Sequence, residues 1–141
     1  MVRPAAPMTA ALLPGLLYFL AVFAVAFAMG VARVLVVAPR IGPTAAVLLE
    51  VPMILVVSWA VARRILRHRV LTLPQRATMG ATAFALTMAS EIALAGVLRG
   101  QGVMDWAAAT ATPLGLVGLA GQVAFAALPM VLGRRATPPT A

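Results

Sequence analysis

Four long apolar stretches, parted by short segments carrying proline, glycine or arginine, organise the chain at about residues 15–37, 44–62, 77–98 and 113–133. Each is close to the ~20 residues an α-helix needs to cross ~30 Å of hydrocarbon at about 1.5 Å per residue. The pattern predicts an all-α protein, a four-helix transmembrane up-and-down bundle. It forms a single domain over residues 1–135, followed by a Pro/Thr tail at 136–141 that has nothing to pack against and is expected to be disordered.

The borders carry helix punctuation. Pro39-Arg40-Ile41-Gly42-Pro43 is a short, rigid connection in which Pro43 suits the first turn of the second helix, so the first two helices should form a tight hairpin. Thr72-Leu73-Pro74-Gln75 reads as a capping box, which would start the third helix before its apolar run. Thr112-Pro113 supplies the cap and first-turn proline of the fourth, and Gly133-Arg134-Arg135 should stop it.

Composition agrees with this reading. The chain is 63% hydrophobic and 10% charged, whereas water-soluble domains carry about 25% charged residues. With 141 residues, four spans leave no room for a separate soluble catalytic domain. No cysteine is present, which excludes thiol-disulfide chemistry and thiolate metal sites. The single histidine, His68, falls in an Arg-rich stretch that reads as a loop, so bis-histidine haem ligation within the chain is excluded and no metal or other cofactor is expected. The net charge of +8 would point to nucleic acid in a soluble protein. In a membrane protein the fitting partners are the bilayer and its anionic headgroups, with no nucleic acid.

Arginine placement sets the expected orientation. Arg63, Arg64, Arg67, Arg69 and Arg76 fall between the second and third helices, and Arg3, Arg134 and Arg135 lie at the termini, all on one side of a four-span chain. Arg40 and Arg99 face the other side. The positive-inside rule then places both termini and the central connection in the cytoplasm. Tyr18 and Trp59 read as interfacial anchors on that side and Trp106 as one in the outer loop. The competing reading of the first stretch is a cleavable signal peptide, but its apolar run is longer than the usual core.

Three ionisable residues interrupt the apolar stretches. Arg33 precedes Pro39 by six residues, Glu50 follows Pro43 by seven and Glu91 precedes Arg99 by eight, so all three share one layer, roughly 9–12 Å inward from the outer boundary. An isolated charge near the bilayer centre costs ~2.5–3.5 kcal/mol even on insertion scales, so such groups face the bundle and pair. Arg33 and Glu50, on helices of one hairpin, are the natural ion pair. Glu91 is left with Arg99 two turns away. Arg40, Arg99, Ser90 and Gln122 are candidate supporting groups. The layer reads either as a static network or as a site where a carboxylate exchanges a proton or ligand. Pro52 and Pro129 should each remove a backbone hydrogen bond and bend their helices.

Small residues recur every fourth position as Ala77, Ala81, Ala85, Ala89 and Ala93 on the third helix and Ala24, Ala28 and Ala32 on the first, with Gly115, Gly118 and Gly121 on the fourth. Such ridges allow close backbone approach, expected within the bundle, with self-association into a homo-oligomer or a larger membrane complex as the alternative.

The runs Gly30-Val31-Ala32-Arg33-Val34-Leu35, Pro39-Arg40-Ile41-Gly42 and Glu50-Val51-Pro52-Met53 make residues 27–64, with the Ser90-Glu91 region, similar to a group of small, uncharacterised four-span proteobacterial integral membrane proteins. The resemblance implies a bacterial cytoplasmic (inner) membrane and no particular activity. No nucleophile-base pair or metal set is visible, which argues against an enzyme. Two function classes remain: a non-enzymatic structural or accessory membrane component with an intramembrane charge layer, and a small ion- or proton-coupled transporter or channel using Arg33, Glu50 and Glu91.

The topology is testable directly. Cysteines placed by Arg69→Cys and Gly102→Cys should be labelled by a membrane-impermeant maleimide from opposite sides of the membrane. Labelling of both from the periplasm overturns the orientation.

Overall fold

The structure is a computed structural model that describes residues 7–132. Its elements are α1 (Met8–Ile41), α2 (Pro43–His68), α3 (Leu73–Arg99), a short α4 (Val103–Thr110) and α5 (Pro113–Leu132). The four long ones are apolar enough and long enough to cross a membrane, making the chain an all-α bundle of a membrane protein. Residues Arg3, Gly133, Arg134, Arg135 and 136–141, on which the terminal charges, the stop of the last helix and the tail were read, lie outside the described residues.

Helix starts follow the local chemistry. At α3 the Thr72 backbone N–H donates to Gln75 Oε1 at 3.0 Å and the Gln75 N–H points back to Thr72 Oγ1 at 3.5 Å, the reciprocal cap expected from the sequence. At α5 the Gly115 N–H donates to Thr112 Oγ1 at 3.1 Å. The helices outrun their apolar stretches. α1 continues to Ile41, so the connection to α2 shrinks to Gly42, whose φ of 84° suits glycine. α2 continues to His68, which puts Arg63, Arg64, Arg67 and His68 on a helix rather than in a loop. Arginine is a good helix former, and cations are favoured at a helix C-terminus, so the helix persists where the hydropathy ends.

One irregularity interrupts α1. Residues Arg33–Val37 form a π turn in which the Ala38 N–H bonds to the Arg33 carbonyl, five residues back. Pro39 has no N–H to donate and its ring crowds the carbonyl four residues earlier, that of Leu35, so a widened turn just before it lets the helix pass the proline without ending.

The packing order round the bundle is α1, α2, α5, α3: α1 lies against α2 and α3, and α5 lies against the same two. Backbone contact between α2 and α3 is absent among the described residues, so the connection 69–72 crosses the bundle end, where Leu71 is buried in the core. The close crossings fall at glycines. A Cβ at Gly80 would collide with the Ala126 carbonyl of α5, one at Gly15 would come within 2.8 Å of Thr82 of α3, and one at Gly121 within 2.8 Å of Val51 of α2. The alanine ridges do not make these crossings. Ala81, Ala85, Ala89 and Ala93 are exposed on the outer face of α3, as are Ala24, Ala28 and Ala32 on α1, so expecting them inside the bundle was wrong. A strict period of four drifts round a helix of 3.6 residues per turn, and the face that packs is instead Met79, Gly80 and Ala83. Large apolar groups such as Leu35 and Val56 stand open on the outside, as a lipid-facing surface requires.

The core is centred on Tyr18, which is fully buried rather than an interfacial anchor. It stacks on Phe125 of α5 across the bundle, with ring centroids 4.5 Å apart. Its hydroxyl donates to the Phe125 carbonyl oxygen at 2.9 Å. That carbonyl is the one the N–H of residue 129 would ordinarily engage, and residue 129 is proline. Tyr18 therefore satisfies the acceptor that Pro129 leaves free. Buried Ser58 of α2 lies beside the same hydroxyl and turns its own proton to the Ile54 carbonyl at 2.7 Å.

Tyr18→Phe should thus lower the unfolding free energy in detergent by about 1–3 kcal/mol, the cost of stranding a buried acceptor. In a Pro129→Ala background, where the helix supplies its own N–H, the same change should cost clearly less. Equal losses in both backgrounds would show that the tyrosine and the proline are not coupled.

Candidate functional site

The intramembrane polar groups fall into two pairs held by different helices. On one side of the bundle Arg33, at the start of the π turn of α1, places Nε 2.5 Å from Glu50 Oε2 on α2. The hairpin turn at Gly42 aligns the two helices, and Gly30, one turn before Arg33, faces the carboxylate, where a Cβ would stand at an ordinary contact distance of 3.8 Å from Glu50 Oε1. The Glu50 side chain is 13% exposed and that of Arg33 30%, so the carboxylate is enclosed while the guanidinium reaches the edge of the bundle. The pair expected from the sequence is present.

On the other side Glu91 of α3 accepts a hydrogen bond from the Gln122 side-chain amide of α5. The Trp106 side chain, on α4, lies beside the same carboxylate. Arg99 adds a favourable charge from two turns above. Glu91 therefore has a direct partner on a neighbouring helix, Gln122, one of the candidate supporting groups. Val51, next to Glu50, meets Gly121, next to Gln122, which puts the two pairs at nearly the same level. Among the described residues, however, no contact joins Arg33 to Glu91, so the layer is two pairs and not one cluster.

The remaining candidates separate. Arg40 donates to the Val36 carbonyl oxygen of its own helix at 2.7 Å and is exposed, so it covers the end of α1 instead of reaching the layer. Ser90 is half-buried, and its hydroxyl has no hydrogen bond to another side chain of the layer. Pro52 stays inside α2, two residues past Glu50. The part of the site that sequence reasoning missed is α4. Residues 100–112 read as an outer loop around Trp106, yet 103–110 are helical. A signal was present in Gly102-Val103-Met104-Asp105, since the Asp105 carboxylate three residues on accepts from the Gly102 N–H at 3.0 Å and starts the helix that positions the indole.

Chemically the layer can hold α1 to α2 and α3 to α5. The Glu91 carboxylate accepts from the Gln122 amide, with the Trp106 side chain beside it and the Arg99 charge further off. No protein-family model, curated protein or solved structure matches the chain.

A double-mutant cycle tests the ion pair. Arg33→Ala strands a carboxylate and Glu50→Gln strands a guanidinium, and each should destabilise by somewhat less than the ~3–5 kcal/mol of a fully buried pair, because Arg33 is partly exposed. The double variant should lose clearly less than the sum of the two single losses. Strict additivity would mean that the residues do not interact.

Proposed function

We propose that the protein is a non-enzymatic structural or accessory component of a bacterial cytoplasmic membrane, with its Arg-rich end on the cytoplasmic side. The observation that carries this reading is the use of the intramembrane polar groups: each carboxylate is engaged by a side chain of an adjacent span, Glu50 by Arg33 and Glu91 by Gln122. Groups committed in this way fix the rotation and depth of all four spans. In hydrocarbon an interhelical hydrogen bond of this kind adds about 0.6–2 kcal/mol, and an ion pair, once formed, is costly to break. The bacterial setting rests on the resemblance of residues 27–64, and the orientation on the eight arginines of one side.

The rival reading is a small proton- or ion-coupled transporter working through Arg33, Glu50 and Glu91. It requires a carboxylate that changes partner or protonation during a cycle, and Glu91, reached from the outer segment by Trp106, is the one to test. In proteoliposomes loaded with a pH-sensitive dye, the wild-type protein should move no more protons than protein-free vesicles across a range of pH and added ions. Glu91→Gln should fold with a small loss of stability, because Gln122 can still donate to an amide oxygen, while Glu91→Leu should lose about 1–3 kcal/mol by stranding that amide. Proton flux by the wild type that Glu91→Gln abolishes would establish the transporter instead.

A further inference from the structure

At the Arg-rich end of the bundle an open cleft of about 300 Å³ lies between α2 and the last described turn of α5, lined by Trp59, Arg63, Leu66, Arg67 and Leu132. Trp59, Arg63 and Arg67 are spaced four residues apart and so share one face of α2. The Arg63 guanidinium carbon stands 5.1 Å from the centre of the Trp59 ring, a cation–π contact that holds one cation at the mouth of the cleft. Arg67 lies one turn further out.

Among the described residues these cations have no acidic side chain to meet. The chain contains three acidic residues, Glu50, Glu91 and Asp105, and all belong to the other half of the bundle. On α2 itself Arg63 is thirteen residues beyond Glu50, about 20 Å along the axis. Two guanidinium groups one turn apart match the oxygens of a phosphate, which arginine binds through paired N–H donors. The rest of the lining is apolar and asks for hydrocarbon. Position selects between sources of phosphate: α2 has 26 residues, about 39 Å of helix against ~30 Å of hydrocarbon, so its last turns stand at the headgroups, where tryptophan also prefers to lie.

We propose that this cleft is a binding site for an anionic phospholipid, its phosphate held between Arg63 and Arg67 and its acyl chain laid along Leu66, Leu132 and the Trp59 ring. The site is independent of the charge layer, so its failure would leave the structural reading untouched. It differs from general attraction of a basic surface in that Arg64 and Arg69, equally cationic and at the same end, do not line it.

The chain has two tryptophans, so Trp106→Phe leaves Trp59 as the single reporter. That variant is reconstituted in phosphatidylcholine vesicles containing increasing fractions of phosphatidylglycerol with brominated acyl chains, which quench a ring in contact with them. Quenching should saturate at a low mole fraction, and brominated phosphatidylcholine at the same fraction should quench much less. Arg63→Gln and Arg67→Gln should each shift half-saturation by about fivefold, and the pair by roughly the product. Removing the same charge with Arg64→Gln and Arg69→Gln should shift it far less. Equal shifts for the two double variants would reduce the effect to diffuse surface attraction and overturn the site, as would equal quenching by the zwitterionic lipid. Relief of the quenching by millimolar inorganic phosphate would assign the cleft to a free anion. The comparison of the two lipids needs no arginine variant, so a variant that fails to fold does not decide the outcome.

Discussion

Hydrocarbon offers no hydrogen-bond partner, so every polar group carried into the membrane must be answered by the protein itself, and the arrangement of the four spans follows from how these demands are met. Two sets of groups impose it. Near one end, Pro129 frees the Phe125 carbonyl and Tyr18 answers it from the opposite helix. Nearer the other end, Arg33 meets Glu50 and Gln122 meets Glu91. Lipid tails are as apolar as leucine side chains, so hydrophobic burial does not choose among rotations of a membrane helix. The directional contacts do. With Tyr18 and Arg33 both on α1, that helix is fixed at two depths, and α2, α3 and α5 are each held by at least one further polar contact or close glycine crossing.

The sequence made the span count and the helix starts legible because both rest on local chemistry. A run of twenty apolar residues needs no tertiary information to be read, and Thr72 with Gln75, or Thr112 before Pro113, act within one turn. The Arg33–Glu50 pair was legible for a related reason: a hairpin closed at Gly42 leaves few other partners for two charges at one depth. Helix ends were less so. Hydropathy marks where the membrane stops, not where the backbone stops being helical, and α2 carries four basic side chains past that boundary as far as His68.

What failed to show was rotation. Alanines at every fourth position of α3 look like a seam, yet Ala81, Ala85, Ala89 and Ala93 face outward, because glycine at position 80 permits a closer approach than any alanine and the helix turns that face to α5. Tyr18 has the composition and position of an interfacial anchor and is instead fully enclosed. The missing clue was present as a pairing rule: each proline within a span names the carbonyl four residues before it as needing a donor. For Pro129 the donor is a tyrosine more than a hundred residues away. For Pro39 the chain has another solution, a π turn that rearranges the backbone itself.

The ring order α1, α2, α5, α3 has a consequence for how polarity is distributed. Because the chain crosses the bundle between α2 and α3, the hairpin that carries Arg33 and Glu50 and the helix pair that carries Glu91 and Gln122 occupy opposite flanks, and the two acids lie on helices that are not neighbours. Had α2 and α3 been neighbours, Glu50 and Glu91 would lie on adjacent helices at one depth, where like charges repel strongly in a medium of low dielectric. Separation lets Glu50 keep an arginine to itself while Glu91 draws on a neutral donor and a distant cation. The crossing connection is short, four residues from 69 to 72, and is held at its two ends by the C-terminus of α2 and the Thr72 cap, with Leu71 buried between them. A segment that bridges a diagonal with so few residues has little freedom, so the order of the helices, and with it the segregation of the acids, is set at the Arg-rich end of the molecule.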